Sequence, residues 1–328
     1  MASNFSNFSL QVDCEAAPQT ARTDAGVAGA GILIAFIITA GLALILSAFI
    51  VASEIRGKHS RNITRKILSG LSDQMIVEGI AVQVVALARI YSTIPYHFFI
   101  VWMLSLLSTA TNFAALVALV QDLKRDWVLR WLRQFAMFIN MVLGITMGVF
   151  VLKTNMDNLA PTLPMACVWQ AHEKNAAAQG NKTLSVVGTI AVIASTCIIF
   201  VFGTWYLHLR KQIWGKTVRL TSLIVLMGMA IGVTVRVILI AQGLGGTPSV
   251  DLDDKGETEW SFGQLLTMML LILPFVSALE LLRGQMAVPR ANAQCDSDQV
   301  PLTGDPGAEL KSVSDKRYTY QPNPVFKS

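Results

Sequence analysis

Seven apolar runs dominate this sequence, each close to the roughly 20 residues that a bilayer-spanning helix needs. They lie at about 26–53, 71–90, 98–120, 134–152, 183–206, 220–241 and 261–282. In hydrocarbon, backbone groups must be satisfied within the segment, so such runs become helices. Charge follows the same division. Only 14% of residues are charged, against about 25% in soluble domains, and the 26 basic and 21 acidic side chains gather between the runs and in the C-terminal tail. The expectation is an all-α, polytopic seven-helix bundle over 26–282, with an N-terminal tail over 1–25 and a Pro-containing disordered tail over 283–328. The net charge of +5 resides in loops that orient a membrane protein, with no basic face for nucleic acid.

Lys and Arg alternate between the loops. Arg22 stands alone before the first run, whereas Arg56, Lys58, Arg61, Arg65 and Lys66 follow it, and Arg89 is alone at the next turn. Lys124, Arg125, Arg130 and Arg133 then crowd one loop, and Arg210, Lys211, Lys216 and Arg219 another. The positive-inside rule makes the N-terminus lumenal or extracellular and the tail cytosolic. Acceptor sequons at Asn4, Asn7 and Asn181 fall on the outer side, whereas the one at Asn62 faces the cytosol and should stay bare. Cys14 and Cys167 also lie outside, where a bridge can persist; a disulfide and two free thiols both fit the sequence. The first run serves as its own insertion signal, and the expected location is the endoplasmic reticulum or another endomembrane. Trp102, Trp131, Trp205 and Trp260 near helix ends read as interfacial anchors, and Gly144/Gly148 and Gly228/Gly232 as close-packing pairs.

A charged side chain at membrane depth costs about 2.5–3.5 kcal/mol even on the lenient insertion scale, so each needs a reason. The second run carries Asp73, Glu78, Gln83 and Arg89. At ~1.5 Å per residue, Glu78, Asn112 and Asn140 lie ~9–12 Å from the cytosolic ends of their helices and share a layer. Arg236 lies toward the outside, Glu280 near the cytosolic end of the last run, and Tyr91, Tyr96 and His97 in the turn between the second and third. Simpler roles stand beside functional ones: Asp73 as a helix cap, Glu280 paired with Arg283, and Arg89 and Arg236 reaching headgroups. Glu78 is too deep to snorkel. No His-Glu-x-x-His, phosphate-cradling loop or Cys/His cluster at metal spacing occurs, so no metal is expected. Asp251-Leu252-Asp253-Asp254 has the Asp-x-Asp-Asp form of alkene-protonating cyclases, but with Glu257 and Glu259 it reads as a solvated outer loop. Leu273-Pro274-Phe275-Val276 and the lack of Asp-Arg-Tyr separate the chain from rhodopsin-type receptors.

Leu71-Ser72-Asp73-Gln74, Gly79, Tyr91, Tyr96-His97 and Ser108-Thr109-Ala110-Thr111 resemble a family of fungal integral membrane proteins that includes the membrane-bound terpene cyclases of meroterpenoid pathways, of the ascochlorin, ascofuranone and macrophorin type. Two positions depart from the pattern: Glu78, where a small hydroxyl residue is usual, and Asn112, where a His is usual. The resemblance implies protonation-initiated cyclisation of a farnesylated, epoxidised intermediate without a cofactor, with pathway enzymes in the same membrane as partners. Such chemistry needs an acid, a dry pocket and a base. Glu78 is then the acid, oriented by Asn112 or Asn140, with Asp73 or Glu280 as hydrogen-bond partner or base. Tyr91, Tyr96, His97 and Arg236 complete the substrate site. The competing class is a non-enzymatic receptor or sensor, or a lipophile carrier along Glu78, Gln83 and Arg89; no internal repeat marks a transporter.

Overall fold

A computed structural model of the chain describes residues 14, 17–57, 62–125, 127–157, 159–169, 182–208 and 215–287. The sequons Asn4, Asn7 and Asn181 and the tail beyond 287 lie outside them. The described residues are predominantly helical: α1 (Ala30–Ile55), α2 (Asn62–Ala88), α3 (Pro95–Ala118), α4 (Val120–Arg125), α5 (Trp127–Asp157), α6 (Lys182–His208), α7 (Gly215–Ile240), α8 (Phe262–Leu270) and α9 (Leu273–Ala287). Short 3-10 turns lie at Met165–Trp169 and Gln242–Leu244. Six helices, α1, α2, α3, α5, α6 and α7, are long and apolar enough to cross a membrane.

The seventh apolar run does not form one long helix. It divides into α8 and α9, with turn residues between them and Pro274 in the first turn of α9. Proline has no N–H to give to the preceding turn and is tolerated only at such a start.

Two helices extend beyond the apolar runs. α2 begins at Asn62, not near 71, and α5 covers 127–157, not 134–152. Arg65, Lys66, Arg130, Arg133 and Lys153 are helical because Lys and Arg are good helix formers and several have partners. Lys153 Nζ lies 2.8 Å from Asp157 one turn on. Arg65 donates to Asp122 of α4 at 3.0 and 3.1 Å and to Glu54 of α1; Glu54 also accepts from Arg219 of α7, whose Nε donates to Tyr206 of α6 at 3.2 Å. One carboxylate with two arginines thus joins α1, α2 and α7 at the end of the bundle where α1 finishes, the inner end in the expected orientation.

α3 is the axis of the bundle, packed against α1, α2, α5, α6 and α7, and Phe98, Ile100, Leu104 and Leu107 are wholly buried. Two of its hydroxyls are satisfied within the helix, Thr109 donating to Ser105 O at 2.9 Å and Thr111 to Leu107 O at 2.8 Å, while Ser108 donates to Met75 O of α2 at 2.8 Å. This central place corrects the expectation for Trp102, which is 2% exposed and packs inside the bundle. Trp131, Trp205 and Trp260 stay more than half exposed.

The glycine pairs differ. A Cβ on Gly144 would lie 2.8 Å from Ser105 Oγ and one on Gly148 2.9 Å from Ile193, so both permit close approach; Gly228 and Gly232 face open space and are not packing positions.

Candidate functional site

The end of the bundle where α1 begins, the outer end in the expected orientation, is closed by the chain before α1 and the loop after α7. Ala21 donates to Asp251 O and Asp253 N donates back to Ala21 O, each at 2.9 Å. Near the start of α1, Ala30 N donates to Glu257 O at 3.0 Å and Gly31 N to Gln264 Oε1 at 3.0 Å, so tertiary partners take up N–H groups left over at a helix start. Gly243 fits beneath because a Cβ there would meet Ala28 O at 2.8 Å and Ala30 N at 2.9 Å. Thr23 Oγ1 donates to Asp254 at 2.6 Å and Gly256 N at 3.0 Å; chiefly through the Thr23 hydroxyl, these bonds hold the Asp254 carboxyl below its ordinary value.

Glu257 corrects the solvated-loop expectation. Its side chain is wholly buried, with Oε1 2.6 Å from His97 Nε2 and Oε2 accepting from Tyr96 OH at 3.1 Å. The Tyr96 oxygen in turn accepts from Gln242 N at 2.9 Å. The expected substrate-site pair Tyr96 and His97 therefore fastens the outer loop to the start of α3. Asp251, Asp253 and Asp254 are exposed, so the Asp-x-Asp-Asp motif is split from Glu257, the carboxylate of this loop that folding buries.

Below this cap is a cavity of about 430 Å³, walled by α3, α5, α6 and α7 and by the segment around Pro161 and Met165. Pro95, Phe99, Trp102, Met103, Val151, Val192 and Ile240 make most of its wall apolar. Its polar groups are largely engaged: Thr154 Oγ1 donates to Phe150 O at 2.9 Å, Thr189 Oγ1 to Ser185 O at 2.9 Å, and Asn155 Nδ2 to Thr189 Oγ1 at 3.4 Å. Among the described residues of the wall Arg236 is the charged one, its guanidinium 6.0 Å from the centre of the Phe99 ring. No carboxylate lines the cavity among the described residues.

The other expected site residues fall elsewhere. Asn112 Oδ1 accepts from Ser72 at 2.9 Å, and its amide donates to Ser108 at 3.2 Å. Asn140 accepts from Gln83 at 2.7 Å and donates to Thr109 at 3.0 Å. These bonds join α2, α3 and α5, so neither amide orients Glu78. Gly79 is the α2 residue that faces the seam, where a Cβ would lie 2.6 Å from Ser108 Oγ. Glu78 precedes it by one residue, roughly 100° round the helix, and its partner is Gln74 of the same helix at 2.7 Å. Its other carboxyl oxygen is buried without a hydrogen bond.

Asp73 lies well inside α2, so it does not cap that helix; it holds Arg133 of α5, whose Nε donates to it at 3.1 Å and whose side chain also reaches Ser69. Glu280 is exposed on α9 and Tyr91 is half exposed at the outer turn; neither lines the cavity. Arg89 forms an ion pair with Asp24 at 3.7 Å. Cys14 and Cys167 are joined by a disulfide, their Cα atoms 5.6 Å apart.

Of the expected residues, the cavity thus brings together Tyr96 and Arg236 and adds Phe99, Trp102, Asn155, Gly188 and Thr189. An Asn and a Thr near the outer ends of two apolar runs were the available signal, but such residues in membrane helices also serve as interhelical contacts. Compared with known proteins, the chain matches no family model, no curated protein and no solved structure.

Proposed function

We propose that this chain is a multi-pass membrane protein of the receptor or sensor class that takes an amphipathic lipophile into the outer-half cavity. The observation that carries this is the cavity itself: mostly apolar, framed by four helices, of a size within the roughly 300–1,000 Å³ of small-molecule sites. α7 gives it a route inward. Arg236 stands in the cavity wall and Arg219, seventeen residues earlier and so ~25 Å away along one helix, holds Glu54 at the inner end. A ligand that displaces α7 would bias that ion cluster, and in this reading the cluster is the element whose making and breaking couples the two ends. Weakening the cluster should then favour the bound state. Purified Glu54→Gln is expected to bind a fluorescent single-chain amphiphile more tightly than wild type by severalfold; unchanged or weaker binding in a well-folded variant contradicts the sensor role.

A terpene cyclase of the type the resemblance implies is the second reading. Tyr96 favours it, because the residue lines the cavity and its hydroxyl is backed by the buried Glu257–His97 pair. The acid would then be at Tyr96 and not at Glu78. Microsomes fed farnesylated aromatics with and without a terminal epoxide would yield an isomer of unchanged mass, lost in Tyr96→Phe but retained in Glu78→Gln.

In the same proposal α8 and α9 together form a seventh span broken at Pro274; their 26 residues, 262–287, would extend ~39 Å. The N-terminus is lumenal or extracellular, supported by the Cys14–Cys167 bridge and the inner-end cluster of Arg65, Lys124, Arg133 and Arg219. An endomembrane location with glycans on Asn4, Asn7 or Asn181 completes it, testable by a glycosidase mobility shift.

A further inference from the structure

We infer that the occupant of the outer cavity carries a single oxyanion head that binds Arg236, with an apolar body of one chain or a small ring system. This inference rests on the cavity being a ligand site, as proposed above. Arg236 lies four residues before the end of α7, ~6 Å along the helix. Its side chain is exposed, and its guanidinium lies 6.0 Å from the centre of the Phe99 ring of α3 at the cavity wall. Among the described residues it has no ion pair. The inner arginines Arg65, Arg133 and Arg219 each hold a carboxylate, and Arg89 has Asp24. Arg236 is thus a cation one turn from the end of α7, on a cavity wall whose described residues supply aromatic and apolar surface and no carboxylate.

The chemistry of that arrangement is specific. A guanidinium cannot shed its charge and presents five donors in a planar fork that suits carboxylate or phosphate oxygens. The neighbouring polar groups cannot replace an anion. Tyr96 OH is held between Gln242 N and Glu257, and the hydroxyls of Thr154 and Thr189 donate to carbonyls of their own helices. A neutral lipophile in the cavity would cover part of the fork without pairing it, whereas a charged head pairs with it. The cavity's modest volume of about 430 Å³ favours one chain over two.

The test uses full-length protein in phosphatidylcholine nanodiscs, with binding read as energy transfer from the protein's tryptophans to cis-parinaric acid or to its methyl ester, against protein-free discs. The acid should bind wild type about tenfold or more tightly than the ester, Arg236→Gln should erase that ratio while leaving ester binding in place, and Arg236→Lys should keep part of it. A Cβ at Gly188 meets open space, so Gly188→Phe fills the cavity without a clash at its root and should lose both probes. Displacement of the acid by phosphatidic acid in the disc assigns the natural occupant to the bilayer, and failure to displace assigns it to a single-chain amphiphile; either result supports the oxyanion head. Equal binding of acid and ester to wild type overturns the oxyanion head alone. Absence of binding by either probe overturns the binding role and the head with it.

Discussion

Glu257 shows how one side chain can be misjudged from its neighbours. Acidic company at 251, 253, 254 and 259 reads as a solvated loop, yet folding buries Glu257 against His97 and Tyr96, residues some 160 positions away. No local pattern encodes a partner that distant. A buried polar group without its partner costs about 1–3 kcal/mol, so Tyr96→Phe should lower stability by about that amount, and Glu257→Ala, which strips both partners, by about 3–5 kcal/mol; thermal melting in detergent checks both. Asp254 works oppositely, at the surface. Its carboxyl is held below 3.8, so its stabilising bonds are present above that pH and are lost as pH falls through the depressed value. Hydrogen-exchange protection at Gly256, corrected for the intrinsic rate, should therefore fall on acidification below about pH 4, and Asp254→Asn should flatten that fall.

At the scale of elements, the apolar runs were legible because a membrane helix has one requirement, length in hydrocarbon. Helix ends were not, since Arg65 and Arg133 count as loop residues by charge but are helical in the fold, each matched to a carboxylate on another helix. The shared layer of Asn112 and Asn140 was readable from depth, but the face of α2 opposite them was not, and that face presents Gly79 and not Glu78. The contrast is testable with two glycines. Gly79→Leu drives a side chain into Ser108 and Asn140 and should cost about 1–3 kcal/mol or prevent folding, whereas Gly228→Leu enters open space and should leave the melting temperature nearly unchanged.

For the whole molecule, the outer cap, the cavity beneath it and the inner ion cluster are stacked along the same helices. Sequence gave membrane residence and both arginines of α7, Arg219 and Arg236, but not that one is neutralised by Glu54 and the other opens onto a cavity. That distinction arises only when helices far apart in sequence converge, and the proposed binding function rests on it. The most direct measurement is photolabelling of the reconstituted protein with a single-chain carboxylic acid bearing a diazirine, with the modified residues mapped by mass spectrometry. Occupancy of the cavity requires label on Phe99–Met103 of α3 and Ser185–Val192 of α6, competed by unlabelled acid and absent in Gly188→Phe. Label confined to the outward Val201, Phe202 and Trp205 of α6, insensitive to competitor and to the Gly188 variant, would mean that the cavity is not a ligand site.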